Sequence, residues 1–197
     1  GEVCGAGKGL ETHGYSALVR GNAEVIAQGN ATVGGSVYGG GEIAAVGRYR
    51  LDENEMPTAL VSGGECKVTV KGYAVVGQSG TGNVFGAGKG VDPSDATHTY
   101  IDFTSTDKDD LPKRMTLTPS TLPTVYDNVG DGSTYIWEYY TSQASYFKFL
   151  QTLALATDTK VSIEGNATVN GNVYGGSESG FVQRDTEVEI KGGAIEA

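Results

Sequence analysis

The fold is decided by residues 160–176, KVSIEGNATVNGNVYGG, in which small or apolar residues alternate with polar ones. Val161, Ile163, Ala167 and Val169 all fall on one side of this alternation. Successive side chains of a strand point to opposite faces, whereas the apolar residues of a helix recur every three to four positions. The pattern therefore predicts strands with one buried face, and it excludes a helix.

The same alternation occurs at three other places and identifies the chain as a repeat protein. The other copies begin at Val25, Val68 and Val188, and the shortest distance between equivalent positions, from Val161 to Val188, is 27 residues. Full copies run into the signatures VYGGG, VFGAG and VYGGS, and the chain opens with a degenerate copy, VCGAG. A short element, ALVR, ALVS or GFVQ, precedes an alternating strand in three places. A period of this length is typical of solenoids.

The period predicts an all-β right-handed parallel β-helix with about 27 residues per minimal coil, because three short strands with tight glycine turns use about that length. The inward glycines at positions 29, 72, 165 and 192 are expected at the corners, since Gly accepts backbone angles that strain other residues. With 31 Gly and 19% charged residues, the composition fits a thin coil lined by Val, Ile and Ala.

Residues 91–158 interrupt the repeat, and we interpret them as one insertion in a single solenoid segment, residues 1–197. The insertion holds four of the five prolines and most of the aromatic residues. Near its end, apolar residues at helical spacing predict a helix from about 142 to 156. A second interruption, RYRLDENEMPT at 48–58, is expected to be a surface loop.

Both termini fall inside a repeat, which predicts a segment of a longer repeat protein with open edge strands at its two ends. A formal net charge of −10 excludes nucleic acid as a partner, and it leaves no basic patch for an anionic membrane. The sequence contains no apolar run long enough for membrane insertion.

The sequence predicts no cofactor, no metal and no catalytic residue. GAGKG occurs at 5–9 and 86–90, but both copies lack the first Gly and the final Ser or Thr of a phosphate-binding loop. Asp127 and Asp131 are a weak Ca²⁺ candidate, because their loop lacks a third acid and a distal Glu, and a Gly- and Asp-rich turn is favoured.

Outward positions of equivalent strands carry mixed charges, whereas glycoside chemistry needs convergent carboxylates. Cys4 and Cys66 occupy non-equivalent repeat positions, so no disulfide is implied and their redox state stays open.

Aromatic residues are the candidate binding residues. Three of them follow inward valines, should therefore point outward, and are expected to stack as a ladder about 4.8 Å apart with Cys4 at its N-terminal end. The ladder residues are Tyr38, Phe85 and Tyr174, and the insertion contributes Trp137, Tyr139 and Tyr140. Packing of the ladder beneath the insertion is favoured, and an exposed binding surface for a glycan or a protein is the alternative.

The segments VYGGG, VYGGS, DTKVSIEG and DTEVEIKGG, with the run FKFLQTLALATDTKV, resemble very large Gly-rich repeat proteins from the surfaces of gut-type Bacteroidetes. The resemblance implies an extracellular, cell-surface, adhesin-like β-solenoid and offers no catalytic residues. We therefore expect a structural segment whose partners are neighbouring repeats of the same polypeptide. A glycan- or protein-binding module that uses the aromatic insertion is the alternative, and a β-helix polysaccharide lyase or hydrolase is the third interpretation.

Overall fold

The computed structural model describes residues 1–10, 17–51, 57–78, 80–92, 103–107, 111, 113–117, 135–140, 142–150 and 153–196. The described elements are mostly short strands, with one short helix. In chain order they are β1 (Val3–Cys4), β2 (Ala23–Ala27), β3 (Thr32–Val33), β4 (Val37–Tyr38), β5 (Arg48–Leu51), β6 (Pro57–Ser62), β7 (Glu65–Val70), β8 (Val75–Val76), β9 (Val84–Phe85), β10 (Lys113–Leu117), β11 (Tyr135–Tyr139), α1 (Gln143–Leu150), β12 (Asp158–Ile163), β13 (Thr168–Val169), β14 (Val173–Tyr174), β15 (Thr186–Ile190) and β16 (Ala194–Ile195). The predicted all-β class is confirmed.

Three four-stranded parallel sheets contain most of the described strands. Sheet I has the order β15-β12-β7-β2, sheet II the order β16-β13-β8-β3, and sheet III the order β1-β4-β9-β14. Equivalent repeat positions are paired side by side, so that Val25, Val68, Val161 and Val188 form one row across sheet I. A full repeat therefore adds one strand to each sheet, and the predicted strand register is confirmed in sheet I. In sheet II the register shifts by one residue at β16, where Ala194 pairs with Thr168 and Ile195 pairs with Val169.

The main hydrophobic core consists of residues at the predicted inward positions. Its buried members are Ala27, Val37, Val68, Val70, Ala74, Val76, Val84, Val161, Ile163, Ala167 and Val169. Burial of one Val or Ile side chain stabilises a fold by about 1.5–3 kcal/mol. The buried residues of the main core therefore contribute much of the free energy of unfolding. One outward position differs from expectation: Ser162 is buried, and its hydroxyl donates a 2.8 Å hydrogen bond to the Glu164 carboxylate.

A fourth line of parallel contacts joins the repeats beside the three sheets. Val19 pairs with Val46, Ala156 pairs with Val182, and the Val46 amide donates a 2.7 Å hydrogen bond to the Leu155 carbonyl. A second apolar cluster joins these positions; its members include Val46, Ala156, Ala23, Cys66 and Ala87, with Val19 and Val182 packed against them. The short elements ALVR and GFVQ therefore lie where the repeat pattern places them.

The short element ALVS lies elsewhere, because residues 48–58 are not simply a loop. They include β5, which pairs antiparallel with β6, and β6 contains ALVS. In the repeat pattern Val61 of ALVS is equivalent to Val19 of ALVR. In the fold, however, the residue that pairs with Val19 is Val46. RYRL alternates polar and apolar residues, as a strand does, whereas the acids and the Pro that follow it are typical of a loop.

The described part of the insertion contains the antiparallel pair β10–β11 and the helix α1. The helix is shorter than the predicted 142–156. Beyond residue 152 the chain turns: Ala154 has a φ of +54°, and its amide donates a 2.7 Å hydrogen bond to the Ile43 carbonyl. Backbone pairing with the neighbouring repeats has replaced the helical hydrogen bonds in this last segment.

Glycines set both the corners and the spacing of the repeats. Gly29, Gly72 and Gly165 have φ values of +64°, +73° and +68°, which confirms their predicted place at the corners. Gly86 follows the ring position of sheet III, and a Cβ atom there would overlap the carbonyl oxygen of Gly175 in the next repeat. The Gly of the V-[YF]-G signature is therefore required by the close approach of two backbones.

Replacement of Gly86 by Ala is expected to lower the free energy of unfolding by about 1–3 kcal/mol, as overpacking does, because the clash is with backbone. Gly176→Ala is the matched control, since a Cβ at Gly176 has open space around it and φ there is not in the left-handed region. Urea denaturation of both variants measures the difference. Similar losses for the two variants would contradict the steric explanation.

Candidate functional site: the aromatic and charged columns

Sheet III holds the three predicted ladder residues in one column. The ring centroids of Tyr38 and Phe85 are 5.1 Å apart with planes 3° from parallel, and those of Phe85 and Tyr174 are 5.0 Å apart at 11°. The parallel pairing of β4, β9 and β14 imposes this spacing, because it places the three residues directly side by side. Cys4 pairs with Tyr38 and begins the column.

The aromatic column, Tyr38, Phe85 and Tyr174, exposes only one of its rings. Tyr38 is 1% exposed and Phe85 is 5% exposed, whereas Tyr174, at the end of the sheet, is 44% exposed. None of the three belongs to the main core between the sheets. Two rings therefore lie outside the core but are still shielded from solvent.

A column of alternating charge runs beside the aromatic column and contributes to this shielding. It consists of Lys8, Glu42, Lys89 and Glu178. Backbone hydrogen bonds hold these residues in neighbouring repeats: the Glu42 amide donates to the Gly7 carbonyl, the Lys89 amide to Gly41 and the Glu178 amide to Gly88, at 2.9–3.1 Å. The Lys8 Nζ lies 3.2 Å from a Glu42 carboxylate oxygen. Opposite charges in neighbouring repeats favour the observed register.

The charged column contacts the aromatic column at Tyr38. The Tyr38 hydroxyl donates a short hydrogen bond to the carboxylate of Glu178, and the Lys89 ammonium lies 6.0 Å from the centroid of the Tyr38 ring. Burial raises the pKa of Tyr38, and the hydrogen bond to Glu178 raises it further. Lys89 also forms a 3.0 Å ion pair with Glu2. Tyr38 is therefore a neutral hydrogen-bond donor at physiological pH.

The charged column explains the GAGKG motifs without a bound phosphate. Lys8 and Lys89 both pair with carboxylates, and the glycines around them allow the close approach of neighbouring backbones. The signal for this arrangement was present in the sequence but was missed. Each residue of the aromatic column is followed four positions later by a charged residue, and so is Cys4. The sign of this charge alternates from one repeat to the next.

The described aromatic residues of the insertion form a cluster of their own. Tyr140 and Tyr146 are buried with ring centroids 5.6 Å apart, and they pack with Val91 and Leu150. Ile43 covers one side of this cluster. The described side-chain contacts of Tyr38 outside the aromatic column are with Ser36, Glu178 and Lys89. Packing of the ladder beneath the insertion, which the sequence favoured, is therefore not seen among the described contacts.

Four of the candidate residues have side chains that are not described. Trp137 and Tyr139 belong to β11, where their backbones pair with Met115 and Lys113. Asp127 and Asp131, the Ca²⁺ candidates, lie outside the described residues. Within the described ranges, no group of three or more His, Cys, Asp and Glu side chains is arranged to hold a metal ion.

Both cysteines are free thiols. Cys66 is buried in the second apolar cluster, and burial, assisted by the charge of Glu65, raises its pKa to about 12. Cys4 is half-buried, and burial raises its pKa as well, with further contributions from Glu42 and Glu2. Neither thiol is activated as a thiolate nucleophile, because activation requires a lowered pKa.

The outward face of sheet I carries a network of mixed charges at its C-terminal end. Lys160 lies 3.1 Å from both Glu187 and Glu189, and Lys191 lies 2.7 Å from Glu189 and 4.0 Å from Glu164. Lys191 and Lys160 lower the pKa of Glu189, while Glu187 and Glu189 raise the pKa of Lys160. Lys160 therefore neutralises two carboxylates of the neighbouring strand, and Lys191 neutralises Glu189 from two residues further along the chain.

Among the described residues, no helix is long and apolar enough to cross a membrane. No protein-family model, curated protein or solved structure matches the chain.

Proposed function

We propose that the chain is a structural segment of an extracellular bacterial surface protein, in which stacked repeats act as a stiff spacer. The observation that carries the proposal is the aromatic column with its neighbouring charged column. The distinctive side chains of sheet III contact their counterparts in the next repeat, as the stacked rings and the Lys8–Glu42 pair do. Side chains used in this way hold one repeat on the next.

The architecture proposed for the spacer is a right-handed parallel β-helix. Three parallel sheets with one strand per repeat support it, as does the period of 27 residues between equivalent valines. Connections between parallel strands of one sheet are right-handed in about 98% of cases, which supports the proposed hand. The surface location is supported by the resemblance of the VYGGG and DTKVSIEG segments to Bacteroidetes surface repeats.

Single-molecule force spectroscopy tests the spacer role. When the chain is pulled through its two ends, we expect the stacked repeats to resist and then unfold in one cooperative event, since each repeat is held by its neighbours. Phe85→Ala should unfold at a lower force, because it removes the middle ring of the column. Gradual extension at low force, without a cooperative event, would contradict the proposal.

The alternative function, binding of a glycan or a protein, has less support from the described residues. Tyr140 is buried, and Tyr174 is the ring of the aromatic column that faces solvent. A glycan panel with the wild type, Tyr174→Ala and Trp137→Ala tests it. The spacer proposal expects no saturable binding by any of the three. Saturable wild-type binding that either substitution abolishes, while circular dichroism shows that the variant is still folded, would establish the binding module instead.

A further inference from the structure

Two side-chain contacts beside sheet III pass over a whole repeat. The three full repeats contain β2–β4, β7–β9 and β12–β14, and they contribute Glu42, Lys89 and Glu178 to the charged column. The Tyr38 hydroxyl of the first full repeat donates its hydrogen bond to Glu178 of the third. The Lys89 ammonium of the second full repeat pairs at 3.0 Å with Glu2, which directly precedes β1. Each of these contacts skips the repeat that lies between its two partners.

Stacked repeats ordinarily contact only the repeats on either side, so that the stability of a stack is a sum of terms for neighbouring pairs. The backbone bonds of sheet III follow this rule. The Val37 amide of the first full repeat donates to Asn83 of the second, and the Val84 amide of the second donates to Asn172 of the third, at 2.8 and 2.9 Å. The Tyr38 hydrogen bond is different, because separation at either of these two junctions breaks it. It therefore couples the two junctions energetically.

The Tyr38–Glu178 contact is expected to be the stronger of the two. Tyr38 is 1% exposed, so little water is available to replace Glu178 as the partner of its hydroxyl. Hydrogen bonds to a charged group are also stronger than those between neutral groups. The Lys89 and Glu2 side chains are 34% and 41% exposed, and exposed ion pairs contribute little to stability.

The same contact joins the repeats before the insertion to the repeat that follows it. Among the paired positions of sheet I, the longest interval in sequence separates Val68 from Val161, because the insertion lies between them. Closing a longer loop costs more conformational entropy, so this cost is largest where the third full repeat docks on the second. A bond from the third repeat back to the first stabilises the stack at this junction.

From these observations we propose that Tyr38 and Glu178 form a latch, a contact that makes the three full repeats open together and not one at a time. The repeat after the insertion cannot separate from the second full repeat without also losing its bond to the first. The latch goes beyond the spacer role and does not depend on it, because it concerns which repeats open together, wherever the chain is located.

Amide hydrogen exchange at single residues tests the latch. The amides of Val84 and Gly86 report the separation of the third full repeat from the second, because they donate to Asn172 and Tyr174. Tyr38→Phe keeps the ring and removes the hydroxyl. It should speed exchange at these two amides by about tenfold, as the loss of a hydrogen bond to a charged group does. Unchanged exchange there would overturn the proposal.

A double-variant cycle separates the latch from a general loss of stability. In Glu178→Ala, which lacks the acceptor, Tyr38→Phe should no longer speed exchange at the two amides. Glu42→Ala is the matched control, because Glu42 holds the equivalent place in the first full repeat and accepts a bond from Lys8. In that background Tyr38→Phe should again speed exchange by about tenfold. Acceleration that persists in Glu178→Ala, or that is lost in Glu42→Ala, would overturn the latch.

Discussion

Replacement of Val161 by Asp is expected to lower the free energy of unfolding by about 3–5 kcal/mol at neutral pH. Val161 lies in the middle of its row in sheet I, is fully buried and packs in the main core. An uncompensated buried charge costs about 3–5 kcal/mol. That loss is comparable to the whole stability of many domains, which is about 5–15 kcal/mol. Circular dichroism and urea denaturation measure the folded fraction and the midpoint.

Thr69→Asp is the matched control for this prediction. Thr69 is half-buried, lies on the outward face of sheet I, and has Lys67 and Lys71 two residues away on the same face. Its substitution should change the free energy of unfolding by no more than about 0.5 kcal/mol, as most surface changes do. Ser162 is unsuitable as a control, because it is buried and bonded to Glu164. Equal destabilisation by Val161→Asp and Thr69→Asp would refute the assignment of inward and outward faces.

Replacement of Phe85 by Ala is expected to lower the free energy of unfolding by about 3–5 kcal/mol, the usual cost for a buried aromatic residue. Phe85 is the middle ring of the aromatic column and stacks on both Tyr38 and Tyr174. The substitution removes both stacking contacts and leaves a cavity. Equilibrium denaturation in urea measures the loss.

Tyr174→Ala is the control for Phe85→Ala, because Tyr174 has one stacking partner and is 44% exposed. We expect it to cost only about 1 kcal/mol, the contribution of one aromatic pair. Hydrogen exchange should show that α1 is unaffected by Phe85→Ala, since Tyr146 and Leu150 pack in a separate cluster. If Phe85→Ala left stability unchanged but abolished binding to a glycan, the column would be an adhesive site and the spacer proposal would be wrong.

The amino-acid sequence by itself determined the strand class, the inward face of sheet I and the stacking of the rings. These features follow from a two-residue alternation, which is local, and from copies of one pattern, which pair in register when they stack. Val68, Val161 and the ring position at Phe85 could therefore be assigned from their neighbours in the chain. The middle of α1 was predictable for the same reason, because Tyr146 and Leu150 are one helical turn apart.

Only the tertiary structure decided which of these residues are accessible and where the repeats are interrupted. Tyr38 is buried although its position is outward, and its hydroxyl bonds to Glu178, which is 140 residues away in the sequence. The early end of α1 likewise depends on a distant partner, because the Ala154 amide donates to the Ile43 carbonyl. The physical reason is common to both: a local pattern specifies which way a side chain points or which turn it favours, whereas the outcome depends on what the folded chain places against it.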